Sequence, residues 1–173
     1  PLAFTNIVNE GNIGVVGASG TGIQEVTTII DRMDKGVTNA LGTGGRDLST
    51  EVGAITMLDS IKALNHDPKV KVITVISKPP AKEVEEKVLN VLRNIDKPVV
   101  TLFLGAKPTY TEENIYHAYT LDEAAQVSVQ LANDETPSFK PSVLDNISLT
   151  LSAQQDGIKG YYSGGTLASE AAM

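Results

Sequence analysis

Residues 11–25 read GNIGVVGASGTGIQE, and this order of residue types leaves few folds open. Ile13 to Val16 is a short apolar run rich in β-branched residues. Gly17-Ala18-Ser19-Gly20-Thr21-Gly22 interrupts it, and Ile23, Val26, Ile29 and Ile30 then recur at helical spacing. The pattern predicts a strand, a glycine-rich turn and a helix, with Ser19 or Thr21 as the helix cap. The first turn of such a helix has N–H groups without intrahelical partners, at the positive end of the helix dipole. The chemistry it offers is therefore the binding of a phosphate or carboxylate. Glycines at this position also serve plain strand–helix packing, and the stretch alone leaves both readings open. No Lys-Ser or Lys-Thr follows the glycines, which excludes a Walker A loop, and their spacing does not fit the dinucleotide fingerprint.

The unit then repeats along the chain. Val37 to Leu41 reads as a second strand, followed by Gly42-Thr43-Gly44-Gly45-Arg46, and helical spacing resumes with Val52, Ile55, Leu58, Ile61 and Leu64 behind Ser49 or Thr50 as cap. Val70 to Ile76 reads as a third strand buried on both faces, as in a parallel sheet. Ser77-Lys78-Pro79-Pro80 leads into a helix from Ala81 to Asn94, and Pro98 to Leu104 is a fourth strand. Beyond the polar stretch Gly105–Asn114, Ile115 to Tyr119 reads as a short fifth strand and Leu121 to Leu131 as a helix capped by Thr120 or Asp122. This alternation predicts an α/β fold, a doubly wound parallel sheet of flavodoxin-like type.

Asn133 to Pro141 is polar with two prolines and reads as a linker, followed by a helix over Val143–Gln155. The ending, GIKGYYSGGTLASEAAM, echoes the beginning. Gly165-Thr166 with Glu170 matches Gly20-Thr21 with Glu25 at the same offset, each expected behind a serine and a short strand. The expected division is residues 1–133 as one domain, 134–156 as linker and helix, and 157–173 as the truncated start of a second domain. A chain that opens on Pro1 and stops at Met173 is expected to be a piece of a larger protein.

Fourteen Lys and Arg against 21 Asp and Glu give a formal net charge of −7, which argues against a nucleic-acid or anionic-membrane surface. The chain has no cysteine, hence no disulfides or thiolate metal ligands, and its two histidines, His66 and His117, have no zinc-site spacing. No apolar run approaches the roughly 20 residues that span a bilayer, so a soluble cytoplasmic protein acting on a small molecule is expected. Ser19 is followed directly by Gly20, which breaks the nucleophile-elbow pattern.

In a parallel sheet the strand–helix turns gather at the carboxyl edge, where ligands bind. Ser19-Gly20-Thr21, Gly44-Gly45-Arg46 and Ser77-Lys78 would together offer backbone N–H groups, hydroxyls and two cations to a phosphoryl or acyl-phosphate group. Arg46 and Lys78 read equally well as solvated charges at loop tips. His66 is expected at the surface, and His117 on an edge strand.

GNIGVVGASGTGIQEV, LGTGGRDL and VISKPPAKEVEEKVLNVLRNIDKPVVTLFLGAKP resemble the second domain of the succinyl-CoA synthetase α subunit and, more closely, the FdrA proteins, also described as acyl-CoA synthetase-like. The resemblance covers nearly the whole chain and is most specific from Gly14 to Pro108. FdrA proteins join α-like and β-like ligase halves in one polypeptide, which implies that Ser163-Gly164-Gly165-Thr166 opens the second half. In the synthetases one helix N-terminus from each half cradles the phosphate of a phosphohistidine. Ser19-Gly20-Thr21 and Gly164-Gly165-Thr166 stand at those positions. Two positions depart from the synthetase pattern: His117 lies between Tyr116 and Ala118 instead of in a Gly-His-Ala-Gly setting, and Lys78 replaces the glutamate that holds that histidine. A lysine attracts the phosphate itself where a carboxylate would orient an imidazole.

The resemblance therefore implies phosphate or carbamoyl phosphate held at Ser19, Gly20, Thr21, Gly44, Gly45, Gly164, Gly165 and Thr166, with Lys78 and Arg46 as cations, in an oxamate carbamoyltransferase of purine and allantoin breakdown. The alternative it implies is a nucleotide-dependent acyl-CoA synthetase domain using ATP, CoA and His117, and a third is a non-catalytic scaffold. Further ligase-like domains of the same chain and other subunits are the implied partners. The CoA-binding amino-terminal domain of the family is expected to lie outside this stretch.

Overall fold

The computed structural model describes residues 6–106, 112–139, 154, 157 and 159–173. β1 (Glu10–Gly17) lies inside a parallel sheet with β2 (Val37–Gly42) on one side and β3 (Val72–Ser77) on the other. β4 (Val99–Phe103) and β5 (Ile115–His117) follow, giving the order β2-β1-β3-β4-β5. This is the expected doubly wound arrangement. The run Val72–Ser77 is buried at every position, as its unbroken apolar reading requires of a central strand.

Alternation along each strand divides the core. Ile13, Val15, Val72, Ile76, Val100 and Leu102 face α1 (Gly20–Arg32) and α4 (Leu121–Ala132), whereas Val16, Ile73, Val75, Val99 and Ile115 face α2 (Ile55–His66) and α3 (Lys82–Leu92). Each of these buried aliphatic side chains is worth about 1.5–3 kcal/mol in transfer terms. Gly14 leaves room for α2 against the sheet, since a Cβ there would stand 2.8 Å from Leu64.

Three local expectations are corrected. α2 begins at Ile55, not near Val52, and neither Ser49 nor Thr50 caps it. Its cap residue is Ala54 at φ 62°, and the donors of its first turn are met by Asp47, whose carboxylate oxygens accept from Thr56 N at 2.9 Å and Met57 N at 2.8 Å. A cap reaching forward over a turn leaves no local spacing to read. The fifth strand is shorter than Ile115–Tyr119, because the Tyr119 N–H donates to Glu123 Oε2 at 2.6 Å instead of to a strand. Among the described residues between Ala132 and Ser163 there is no strand, and Tyr161 and Tyr162 are exposed; the turn opens a helix, α5 (Gly165–Ala171), without a strand feeding it. Apart from Gln154, the predicted helix over Val143–Gln155 lies outside the described residues. Among the described residues no helix is long and apolar enough to cross a membrane.

Candidate functional site

The chain leaves β1 toward β2 and later returns to place β3 on the other flank of β1, so strand order reverses between β1 and β3. In open parallel sheets the crevice above that reversal is where ligands settle. The turn after β1 and the turn after β3 form it. Ser19 is the cap of α1: its backbone is extended and its Oγ accepts from Gly22 N at 3.0 Å, while Ala18 N donates to Ile76 O at 2.9 Å and ties the turn to β3. Gly22 is required by that closure, because a Cβ would lie 2.7 Å from Ser19 Oγ and 3.1 Å from Ile76 Cγ2.

The last glycine turn arrives at the same place. Thr166 is buried, and its Oγ1 lies 2.5 Å from Ser19 Oγ. Gly164 rests against Thr21, where a Cβ would stand 2.4 Å from Thr21 Cγ2, and a Cβ on Gly165 would stand 3.4 Å from Lys78 Nζ. Ser19, Gly20, Thr21, Lys78, Gly164, Gly165 and Thr166 are thus gathered at one end of the sheet. The two copies of the short repeat face each other there.

Charge is distributed in keeping with an anion. Neither α1 nor α5 has an acidic residue in its first turn, whereas α3 carries Glu83 and Glu85 there and α4 carries Asp122 and Glu123. The positive end of the α1 dipole is therefore not neutralised by its own sequence, and the exposed Lys78 adds to it. Gly44, Gly45 and Arg46 follow β2, on the opposite flank of β1, joined to it through Thr43 N to Gly17 O at 2.9 Å. Gly44 has φ 79°, but a Cβ on Gly44 or Gly45 would meet nothing within 4 Å, and Arg46 is exposed.

His117 is not brought to the glycine turns. It ends β5, three strand spacings from β1 or about 14 Å across the sheet. Its Nδ1 lies 2.7 Å from Thr101 Oγ1 on the face toward α3. Burial holds its imidazole below the usual histidine range, with the Glu112 carboxylate opposing and Arg93 adding to the depression, so the ring is neutral near pH 7. Arg93 and Glu112 themselves form a two-pronged pair at 2.6 and 3.0 Å.

Two acidic residues carry structural roles that sequence reasoning did not assign. Asp47, buried beside the exposed Arg46, holds α2. Glu170, visible in the sequence only as the partner of Glu25 in the repeat, accepts the Leu121 N–H at 2.5 Å and so joins the expected cap Thr120, whose Oγ1 accepts from Glu123 N at 3.1 Å, in closing the start of α4.

Residues 8–105 match the family described as the CoA binding domain. The chain is 42% identical over 175 residues to the uncharacterised protein YahF of Escherichia coli (strain K12), an alignment covering 98% of this chain and 34% of that protein. The chain thus spans about a third of the length of that relative. The matched segment runs from before β1 to just past β4, so it contains Ser19–Gly22, Gly44–Arg46 and Lys78 and leaves His117 and Gly164–Thr166 outside. This corrects the expectation that the CoA-binding part lies elsewhere. The findings support the CoA-binding, ligase-like family at large and do not single out the FdrA proteins within it.

Proposed function

Since this chain belongs to the family of CoA-binding domains, we propose that it serves an acyl-CoA ligase-like protein and holds a phosphate group of its ligand above β1 and β3. The first-turn N–H groups of α1 and the Lys78 ammonium are the donors, and α5 closes the other side through Gly165 and Thr166. CoA, which carries phosphate groups, is the ligand class this reading favours. The observation that carries it is the convergence of Lys78 and the positive end of α1, whose first turn holds no acidic residue, at the strand-order reversal, inside the matched segment. Residues 157–173 are read as the opening of a second ligase-like half joined by 134–156 to the first, with other domains or subunits completing the activity.

No step through His117 is needed, because binding and charge neutralisation are what these turns supply. Nothing in the fold or the matched family favours carbamoyl transfer, so that expectation gives way to the ligase-like one. Calorimetric titration of the purified protein with CoA tests the proposal, with inorganic phosphate and carbamoyl phosphate in parallel. CoA is expected to bind, and Lys78→Ala to weaken it about tenfold, the loss of one charge-assisted contact. No heat with CoA, or an affinity indifferent to Lys78→Ala, would overturn the proposal; tighter binding of carbamoyl phosphate than of CoA would restore the transferase reading.

A further inference from the structure

A helix of seven residues has too few internal hydrogen bonds to persist alone, so α5 exists because it is docked. Thr166 fastens its beginning to Ser19, and Leu167 packs against the apolar cluster shared by α1 and α4. Glu170 fastens its far end: its Oε1 accepts from Leu121 N, the first N–H of α4, which no intrahelical carbonyl can reach. One side chain therefore satisfies an orphan donor of one helix and anchors another.

We infer that Glu170 is a positioning residue: by capping α4 it fixes α5 where Thr166 meets Ser19 and Gly165 stands beside Lys78, and so completes the anion-binding crevice. This inference rests on the reading of that crevice as a CoA site. It also makes the crevice respond to pH. Glu170 is the one charged residue of α5, and it faces Glu25 of α1 and Asp122 of α4. Burial first, and then these two like charges, push its carboxyl above the ordinary carboxylate range, against the lowering effect of the Leu121 N–H. The docked state therefore holds the proton more tightly than the released state. Docking is fully favoured at acid pH and weakens as pH rises through the docked-state value.

Amide hydrogen exchange, corrected for intrinsic rates, reads docking directly at Leu121 and along α5, and CoA titration of the same proteins reads the crevice. In the unsubstituted protein, protection of these amides is expected to fall as pH rises through the docked-state value of Glu170. Glu170→Ala should lower protection about tenfold and weaken CoA binding by a comparable factor. Glu170→Gln keeps an acceptor oxygen without a titrating proton, so it should retain both protection and affinity and lose the pH response. Unchanged protection at Leu121 and α5 in Glu170→Ala overturns the inference, as does lost protection with unaltered CoA affinity or a pH response surviving in Glu170→Gln. If the unsubstituted protein binds no CoA while protection still answers to Glu170 as described, the binding reading fails and the docking of α5 by Glu170 stands.

Discussion

Asp47 is a buried carboxylate whose two oxygens each take an N–H from the first turn of α2 and whose carbonyl takes that of Ala54 at 2.7 Å. Removing the carboxylate leaves Thr56 N and Met57 N without an acceptor in a packed corner, so Asp47→Ala should cost about 2 kcal/mol in urea unfolding. Asp47→Asn, which keeps the shape and one acceptor oxygen, should cost less; equal losses would show that the charge and the second acceptor oxygen carry the whole effect and the side chain's packing none of it. At this scale the sequence was legible where partner and target are neighbours. Ser19 was one of two caps read for α1, because the cap and Gly22 are three residues apart. Asp47 was missed because its targets lie beyond a turn containing Ala54 in the left-handed region, a conformation no alanine advertises. His117 carries a second prediction. Its depressed value means that the unfolded chain takes up the proton first as pH falls. Its contribution to stability is thus present above the usual histidine value and is lost as pH drops through the folded one. An imidazole resonance titrating at or above about 6.5 would contradict the desolvation of this ring between β4 and the Arg93–Glu112 pair.

Among elements, strands and helices were legible from their periods because each buries one stripe or two faces in a way the apolar residues record. Ends were less legible, since Tyr119 leaves β5 for a side chain of α4 and α2 starts where Asp47 can reach it. The docking of α5 against α1 was hinted at by the Gly-Thr…Glu repeat and by the resemblance, which sets both turns at one phosphate. What makes it physical is the missing side chain at Gly164: a methyl there would stand 2.4 Å from Thr21 Cγ2. Gly164→Ala should therefore push α5 off α1, lowering exchange protection in residues 165–171 while the sheet amides keep theirs. Gly45→Ala, whose Cβ would meet nothing within 4 Å, should change stability by less than about 0.5 kcal/mol. Protection of α5 surviving Gly164→Ala would mean that the two turns are held apart.

For the molecule as a whole, the doubly wound parallel sheet and its ligand-binding carboxyl edge were legible in the alternation, whereas the order β2-β1-β3-β4-β5, which puts the crevice above β1 and β3, is seen in the structure. The joining of first and last turns was implied by the family resemblance alone, which sets Ser19-Gly20-Thr21 and Gly164-Gly165-Thr166 around one phosphate; it depends on where the chain leads after α4, and no periodicity encodes that. A formal charge of −7 repels a phosphate-bearing ligand at long range, so the crevice has to act through donors within the screening length of about 8 Å. Both apolar clusters draw their buried residues from the span Ile13–Ala132, and α5 adds Leu167 only at the margin. The sheet should therefore stand without α5. A chain ending after Phe139 is expected to unfold cooperatively with its midpoint lowered by no more than about 4 °C, and to bind CoA about tenfold more weakly, because Gly165 and Thr166 no longer face Lys78 and Ser19. Loss of cooperative unfolding would show that α5 belongs to the core after all. A gain in CoA affinity would show that α5 covers the end of α1 and competes with the ligand there, reversing the role assigned to it.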